Sequence, residues 1–560
     1  MPTRLPCSLA LVLLTTPPLA QAAQTTDPAQ ALQAADTPIT IDDARSATRI
    51  AGLDFSDPEL ATMLSELEDM RARIVASRAR SLSIHELPAL QFDPLAPGVR
   101  YRPTSVTPGP PPRTGQLDAE RPDDLGELAF ADLATLSALV KSKQVSCVEL
   151  TTFFLERLRA VDEQLHCVVS YTEERALAQA RALDAELAAG TWRGPLHGIP
   201  WGAKDLFATQ GTRTTWGAKP YEDQVINQDA TVVRRLDEAG AVLIAKLTLG
   251  ALAYGDVWFD GVTRNPWNTE QGSSGSSAGP ASAVAAGAVP FALGTETYGS
   301  LVSPSHRCGV SSLRPTFGRV SRHGAMALVW SMDKVGPMAR SLDDAALVFE
   351  AIQGPDGLDP TLQDHPFEIP GAAEVEGLIV GVPAGAFDRS EVGDAILDEL
   401  RALGLQVVEV QLPEVAGEDL NTMLMAESAA AFDELTRSDR DDLLVRQDPA
   451  AWPNTWRAAR LIPAVDYINA SRRRSRLMRE MDAVMEQVHV LVHAPYAADN
   501  LLITNHTGHP VAVLPAGFRE DGTPYAVSFT GRLFDETTLL AIAAAWQRRG
   551  DHHLRHPELP

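Results

Sequence analysis

The chain has 560 residues, 45% of them hydrophobic and 22% charged, which supplies material for a large core and excludes a wholly disordered polypeptide. Lys and Arg total 48 against 73 Asp and Glu, a formal charge of -25. A surface this acidic repels phosphate backbones and anionic lipid, so nucleic acid is excluded as a partner, whereas a charge total sets no oligomeric state.

Residues 1–22 carry one basic residue, Arg4, then an apolar run, then Ala20-Gln21-Ala22. The small-x-small ending is the form a signal peptidase accepts, so the expectation is an exported protein, periplasmic or secreted. No later apolar run reaches the roughly 20 residues that span a bilayer. Residues 23–120 read as an N-terminal extension. Within it DPELATMLSELEDMRARIVASRAR, 57–80, is a charged helix with a stripe of Leu60, Met63, Leu64 and Leu67. The proline-rich stretch 94–115 follows as the join to the main body, either extended and wrapped over a surface or flexible.

The main body, 121–560, opens on helical pattern. In SCVELTTFFLERLRAV, Ser146 and Glu149 form a capping box, with Val148, Thr151, Leu155 and Leu158 on one face. A strand-like GIPWGAKD (198–205) precedes a helix at 229–240 and the strand AVLIAKL at 241–247, an αβ unit of a buried sheet. Later strands are expected at 377–383, 405–413, 488–495, 509–518 and 523–531, with a closing helix from 537. Residues 414–485 form a mainly helical insertion, and its arginine run SRRRSRLMRE reads as a solvated helix face. Cys147, Cys167 and Cys308 lack CxxC spacing and read as buried small side chains, with a Cys147–Cys167 bridge as the alternative. No GxGxxG follows a strand, HExxH is absent, and the histidines do not fall into ligand spacings, so neither a cofactor nor a metal is expected.

Small residues concentrate in QGSSGSSAGPASAVAAGAVPFALG (271–294) and in the GTETYGS that ends at Ser300. The run VAAGAVPFAL is too apolar for a solvated linker, so its narrow helix must be buried. A nucleophilic serine needs a base and an oxyanion site. The backbone of Thr297, Tyr298, Gly299 and Ser300 can aim several N–H groups into one concavity, each such donor typically worth about 10² to 10³ in rate. His306 and His323 are candidate bases, and so is Lys204 in GIPWGAKD. Burial lowers a lysine pKa from about 10.4 toward neutrality, and one of the hydroxyls at 273–277 can pass the proton.

Taken together, GPLHGIPWGAKD, NPWNTEQGSSGSSAGPASAVAAGAVPFALGTETYGS, CGVSSLRPTFGRVSRHG, MDKVGPMARSLDDAAL and NHTGHPVAVLPAGF resemble the amidase signature family over residues 125–557. The resemblance implies an α/β fold, a large twisted mixed β-sheet flanked by helices on both faces, and hydrolysis of small-molecule or peptide amides by a Ser-cisSer-Lys triad through an acyl-enzyme. It implies Ser300 as nucleophile, Ser276 as the cis-serine and Lys204 as base, with an oxyanion hole of Thr297, Tyr298, Gly299 and Ser300. Gly275, Ser277 and Glu296 are the implied supporting residues. A register placing Ser273-Ser274-Gly275 on the same motif is the alternative for the second serine. Three departures stand out: Glu296 for the family's aspartate, Tyr298 for a glycine, and Val302 for an arginine. Tyr298 is expected to narrow or line the substrate cavity. Trp192, Trp216, Trp258 and Trp330 also flank the motifs, which suggests an aromatic or apolar substrate group. Two other readings stay open: a non-catalytic amide-binding or envelope-partner protein of the same fold, and a glutamine amidotransferase component, which export and an acidic surface oppose.

Overall fold

The structure, a computed structural model, describes residues 37–78, 82–86, 88, 90–95, 97–104, 106–110, 119–388 and 392–559. The expected leader at 1–22 lies outside them. The chain divides into two units, Met1–Leu82 and Ser83–Pro560.

In the first unit α1 (Ile41–Ile50) starts on Thr40, whose hydroxyl accepts from the Asp43 amide while Asp43 returns the bond to the Thr40 N–H. Helix α2 spans Asp57–Arg78. Leu60 is buried on the expected stripe, and Met63, Leu64 and Leu67 are half-buried.

In the second unit an eleven-stranded sheet is built, among the described residues, from β1 (Val168–Tyr171), β2 (Pro200–Lys204), β3 (Val242–Leu247), β4 (Phe291–Glu296), β5 (Ser311–Arg314), β6 (Lys334–Ala339), β7 (Ile379–Pro383), β8 (Gln406–Val410), β9 (Val490–His493), β10 (Val511–Phe518) and β11 (Pro524–Gly531). Their order is β1-β3-β2-β4-β6-β5-β10-β11-β9-β7-β8. The sheet is mixed: β2 runs parallel to β3 and β4, while β4 and β6 are antiparallel. Strands β2, β3 and β6 are buried along their whole length. Their apolar runs therefore do not alternate with polar residues.

Helix α3 (Cys147–Leu165) starts on the expected capping box, with Ser146 Oγ accepting from the Glu149 amide at 3.1 Å and Glu149 accepting from the Ser146 amide at 2.9 Å. The narrow helix α4 (Ala278–Ala285) is buried on all sides and α5 (Val302–Cys308) follows the site loop. Past 414 the chain is helical in α6 (Gly417–Ala431) and α7 (Ala464–Met485) before α8 (Asn500–Thr507).

One expectation changes. The arginine run on α7 is solvated except at Arg474, which is buried and donates to the carbonyls of His506 and Ser331. The described part of the proline-rich segment lies against the body, the first of its two readings: Arg102 pairs with Asp482, Thr104 donates to Asp535, and the Gly109 amide to the Pro370 carbonyl. The cysteines at 147, 167 and 308 are free and buried, so the alternative bridge is not formed.

Candidate active site

The site assembles where β2 and β4 end side by side. Lys204, the last residue of β2, is completely buried. Its Nζ lies 2.9 Å from Ser276 Oγ, 3.1 Å from Ser277 Oγ and 2.9 Å from Thr295 Oγ1. Burial holds the amine well below the ordinary lysine range, against the longer-range pull of Asp333 and Glu296.

The two serines come from the loop that enters α4. The peptide between Gly275 and Ser276 is cis. A side chain at 275 would lie 1.9 Å from the Gly255 carbonyl oxygen, so only glycine lets the two backbones approach this closely. Ser277 Oγ accepts from the Thr295 amide and donates to the Thr295 carbonyl, each at 3.1 Å, which ties the loop to β4. The Ser277 amide in turn donates to the Ser300 carbonyl at 3.2 Å. Lys204, Ser276, Ser277 and the Ser300 backbone are thereby brought together. Ser273 is buried and donates to the Ser274 carbonyl, away from the amine's hydroxyl partners.

Ser300 ends a loop of four residues that leaves β4. Thr297 and Ser300 are buried, while Tyr298 is 42% exposed and Gly299 takes a φ of +85°. Glu296 folds this loop. Its carboxylate accepts from the amides of Leu301 and Val302 at 2.9 and 3.0 Å, and from Asn505 Nδ2 at 2.9 Å, and it pairs with Arg314 on β5. Burial alone would raise its pKa; Arg314, Lys334 and the accepted hydrogen bonds overcome that and lower it to about 2. The cation facing Glu296 is thus Arg314, and Val302 leaves no unpaired anion behind.

Strand periodicity explains the division of labour. Thr295 and Thr297 point to the face opposite Glu296, where Thr297 Oγ1 donates to Asp333 Oδ1 at 2.6 Å. The other Asp333 oxygen accepts the amides of Leu328 and Val329. Thr295, Asp333, Arg314 and Asn505 were not foreseen. For Thr295 the signal was present, since it stands two residues before Thr297 in a strand ending at Glu296. The other three reach the site from 18 to 209 residues away.

A cavity of about 60 Å³, room for roughly four waters, opens beside Thr295 and Thr297. Leu206, Met326, Leu328, Trp330 and Val335 form its apolar wall. Tyr298 is not among its lining residues, contrary to the expectation from sequence. Of the four tryptophans only Trp330 reaches it: Trp216 packs on Tyr221 and Phe432, Trp258 on Phe259, and Trp192 lies under Lys141. Their spacing in sequence reflected core packing. Of the histidines considered as bases, His306 is engaged by the Ala526 amide and Arg519, and His323 lines the cavity.

Among the described residues no His, Cys, Asp and Glu side chains gather into a metal-binding group, and no helix is long and apolar enough to cross a membrane.

Residues 149–500 match the family model described as Amidase. A glutamyl-tRNA(Gln) amidotransferase component from a Roseiflexus species is 37% identical over 74% of this chain and 96% of its own, and its counterpart from Moorella thermoacetica is 35% identical over 77% and 99%. Among solved structures, the peptide amidase of Stenotrophomonas maltophilia superimposes with a TM-score of 0.70 at 28% identity, covering 77% of this chain and 98% of that one. The chain belongs to the amidase family: it has the amidase signature fold and is a hydrolase of that class, whose chemistry is serine-based amide hydrolysis.

Proposed function

From this place in the amidase family, we propose that the chain hydrolyses a linear carboxylic amide with Ser300 as nucleophile, Ser276 as proton relay and Lys204 as base. The observation that carries the reading is the buried Lys204 amine, 2.9 Å from Ser276 Oγ, whose pKa burial holds well below the ordinary lysine range. Neutral Lys204 takes the Ser276 hydroxyl proton while Ser276 takes that of Ser300, whose oxygen bonds to the carbonyl carbon. The carbonyl oxygen becomes an anion facing the amides of Thr297, Tyr298, Gly299 and Ser300. As it collapses the C–N bond breaks, and the leaving amine receives its proton from Ser276, which is reprotonated by Lys204. Water then repeats the sequence on the ester and restores Ser300. Esters fit the same cycle, since the anion site does not sense the leaving group.

A fluorophosphonate reagent is expected to label Ser300 in the folded protein, and Lys204→Ala and Ser300→Ala are each expected to abolish amide turnover. Either variant retaining near wild-type hydrolysis would reject the assignment. Absence of labelling on folded protein would favour a non-catalytic amide-binding role instead.

The sequence relatives favour one further reading, a glutamine amidotransferase component that releases ammonia from glutamine. The charge of -25 and the leader-like N-terminus oppose it. Glutaminase activity that rises with tRNA and ATP would revive it. The same leader supports export, checked by sequencing the N-terminus of the mature protein from periplasm or medium.

A further inference from the structure

The outer wall of the cavity beside Thr295 and Thr297 comes from a part of the chain that precedes the family-matching region. Ile84 and His85 line it together with Trp330, His323, Arg322 and Met326. The contact is anchored at two points. Trp330 Nε1 donates to the Ile84 carbonyl at 3.4 Å. Further along, Phe92 packs edge-on against Phe317 with ring centroids 4.9 Å apart and lies under the Arg474 guanidinium at 3.4 Å, while Gln363 donates to Asp93 at 2.7 Å. Ile84 and His85 therefore line the cavity, with Ile84 tied to Trp330, and the described residues Phe92 and Asp93 that follow are also attached to the body.

The charged groups of this wall already have partners. Arg322 is paired with Asp359 and donates to the Trp330 carbonyl, Asp333 accepts from Thr297 and two amides, and Lys334 donates to the Met332 carbonyl. Arg322 and Asp359 neutralise one another, so a charged ligand group gains no free counter-charge from that pair in return for the water it loses. A ligand meets apolar surface from Ile84, Leu206, Met326, Leu328, Trp330 and Val335, with the imidazoles of His85 and His323 beside it, and the buried His323 Nδ1 has no hydrogen-bond partner among the described residues.

We infer that Ile84 and His85 form a specificity-determining wall of the substrate pocket, and that the pocket selects amides bearing an uncharged, apolar or aryl group that packs between Ile84 and Trp330. The inference rests on the hydrolytic reading above. Selectivity thereby falls on residues 84 and 85, before the span that matches the family at 149–500. A family member lacking such a segment would leave this side of the pocket open to water.

The test uses the full chain and three amides: acetamide, 3-phenylpropanamide with an apolar acyl group, and N-benzylacetamide with an apolar amine. Wild-type protein is expected to prefer one of the two aryl amides over acetamide in kcat/KM. Ile84→Trp, which fills the wall, is expected to lower that preference at least tenfold through KM, and Ile84→Ala, which removes packing, to lower it about threefold. Which aryl amide responds identifies the acyl or the amine side as the occupant. Thermal melting and fluorophosphonate labelling of each variant establish that it is folded with a reactive serine; if Ile84→Trp fails to fold, Ile84→Ala carries the test. A preference unchanged in folded, labelled Ile84→Ala overturns the inference, as does a wild-type preference for acetamide over both aryl amides. Failure of the wild-type protein to label or to hydrolyse any of the three would instead count against the hydrolytic reading itself.

Discussion

Two lysines on neighbouring strands, Lys204 and Lys246, are both completely buried and yet sit in different electrostatic settings. Strands β2 and β3 run in parallel with Lys204 beside Leu247 and Lys246 beside Ala203. The two-residue period of a strand turns the two amines to opposite faces. Lys246 Nζ lies 2.8 Å from Asp205 Oδ1 and 3.0 Å from Thr214 Oγ1. Lys204 has three hydroxyls and a carbonyl as its partners. Burial lowers both pKa values, but Asp205 opposes it directly at Lys246, whereas at Lys204 only Asp333 and Glu296 pull, and both are bound by other groups. A carboxylate partner favours the charged form of a buried amine, whereas hydroxyl partners leave burial to favour the neutral one. The Asp of GIPWGAKD belongs to the first arrangement, since its other oxygen accepts from the Thr215 amide and hydroxyl.

The largest expected effect separates these two sites. Lys204→Met is expected to lower kcat by about 10² to 10⁴, the usual scale of a lost general base, while costing less than about 2 kcal/mol of stability because no charge is stranded. Lys246→Met strands Asp205 in the core and is expected to cost about 3 to 5 kcal/mol. Urea unfolding of both variants, read by circular dichroism, checks the contrast; equal losses would erase it.

A second test concerns Glu296, the anion that folds the loop ending at Ser300. Glu296→Gln leaves buried Arg314 without its counter-charge, with an expected cost of about 3 kcal/mol at pH 7. The sign of the pH dependence follows from the lowered pKa. Stability from Glu296 is fully present above its unfolded value near 4.5 and is lost as pH falls toward its folded value of about 2. Acid unfolding of wild type should therefore be steeper than that of Glu296→Gln over this window. Parallel curves would show that Glu296 does not carry the pairing.

The smallest effect is at Thr295. Removing its hydroxyl with Thr295→Val is expected to lower kcat five- to tenfold, about 1 kcal/mol of one hydrogen bond, with Thr295→Ser recovering most of it. The proposed mechanism requires the neutral amine, so kcat/KM is expected to fall as pH drops through the Lys204 pKa, which burial keeps below the usual lysine value. Loss of a polar neighbour shifts that limb to lower pH in Thr295→Val. A pH profile identical to wild type would place Thr295 outside the proton path.

Much of the frame was legible because it is local. The capping box at Ser146 and Glu149, the strands at β2, β3, β7, β8, β9, β10 and β11, and the buried narrow helix α4 follow from periodicity and apolar runs. Strand β6 was not legible: KVGPMA carries Gly and Pro, and only pairing with β4, Pro337 beside Leu293, makes it a central strand. Arg474 defied its neighbours for the same reason, since a run of five arginines does not reveal which one the fold covers.

By itself the amino-acid sequence determined the family motifs, the small residues that let loops approach closely, and the order of Lys204, Ser276 and Ser300. Only the tertiary structure decided which lysine meets hydroxyls and which a carboxylate, that Arg314 and Asn505 hold Glu296, and that Trp330 alone of four tryptophans reaches the cavity. The physical reason is that electrostatic environment and cavity shape depend on groups hundreds of residues apart, converging on one strand end, and local patterning carries no record of that convergence.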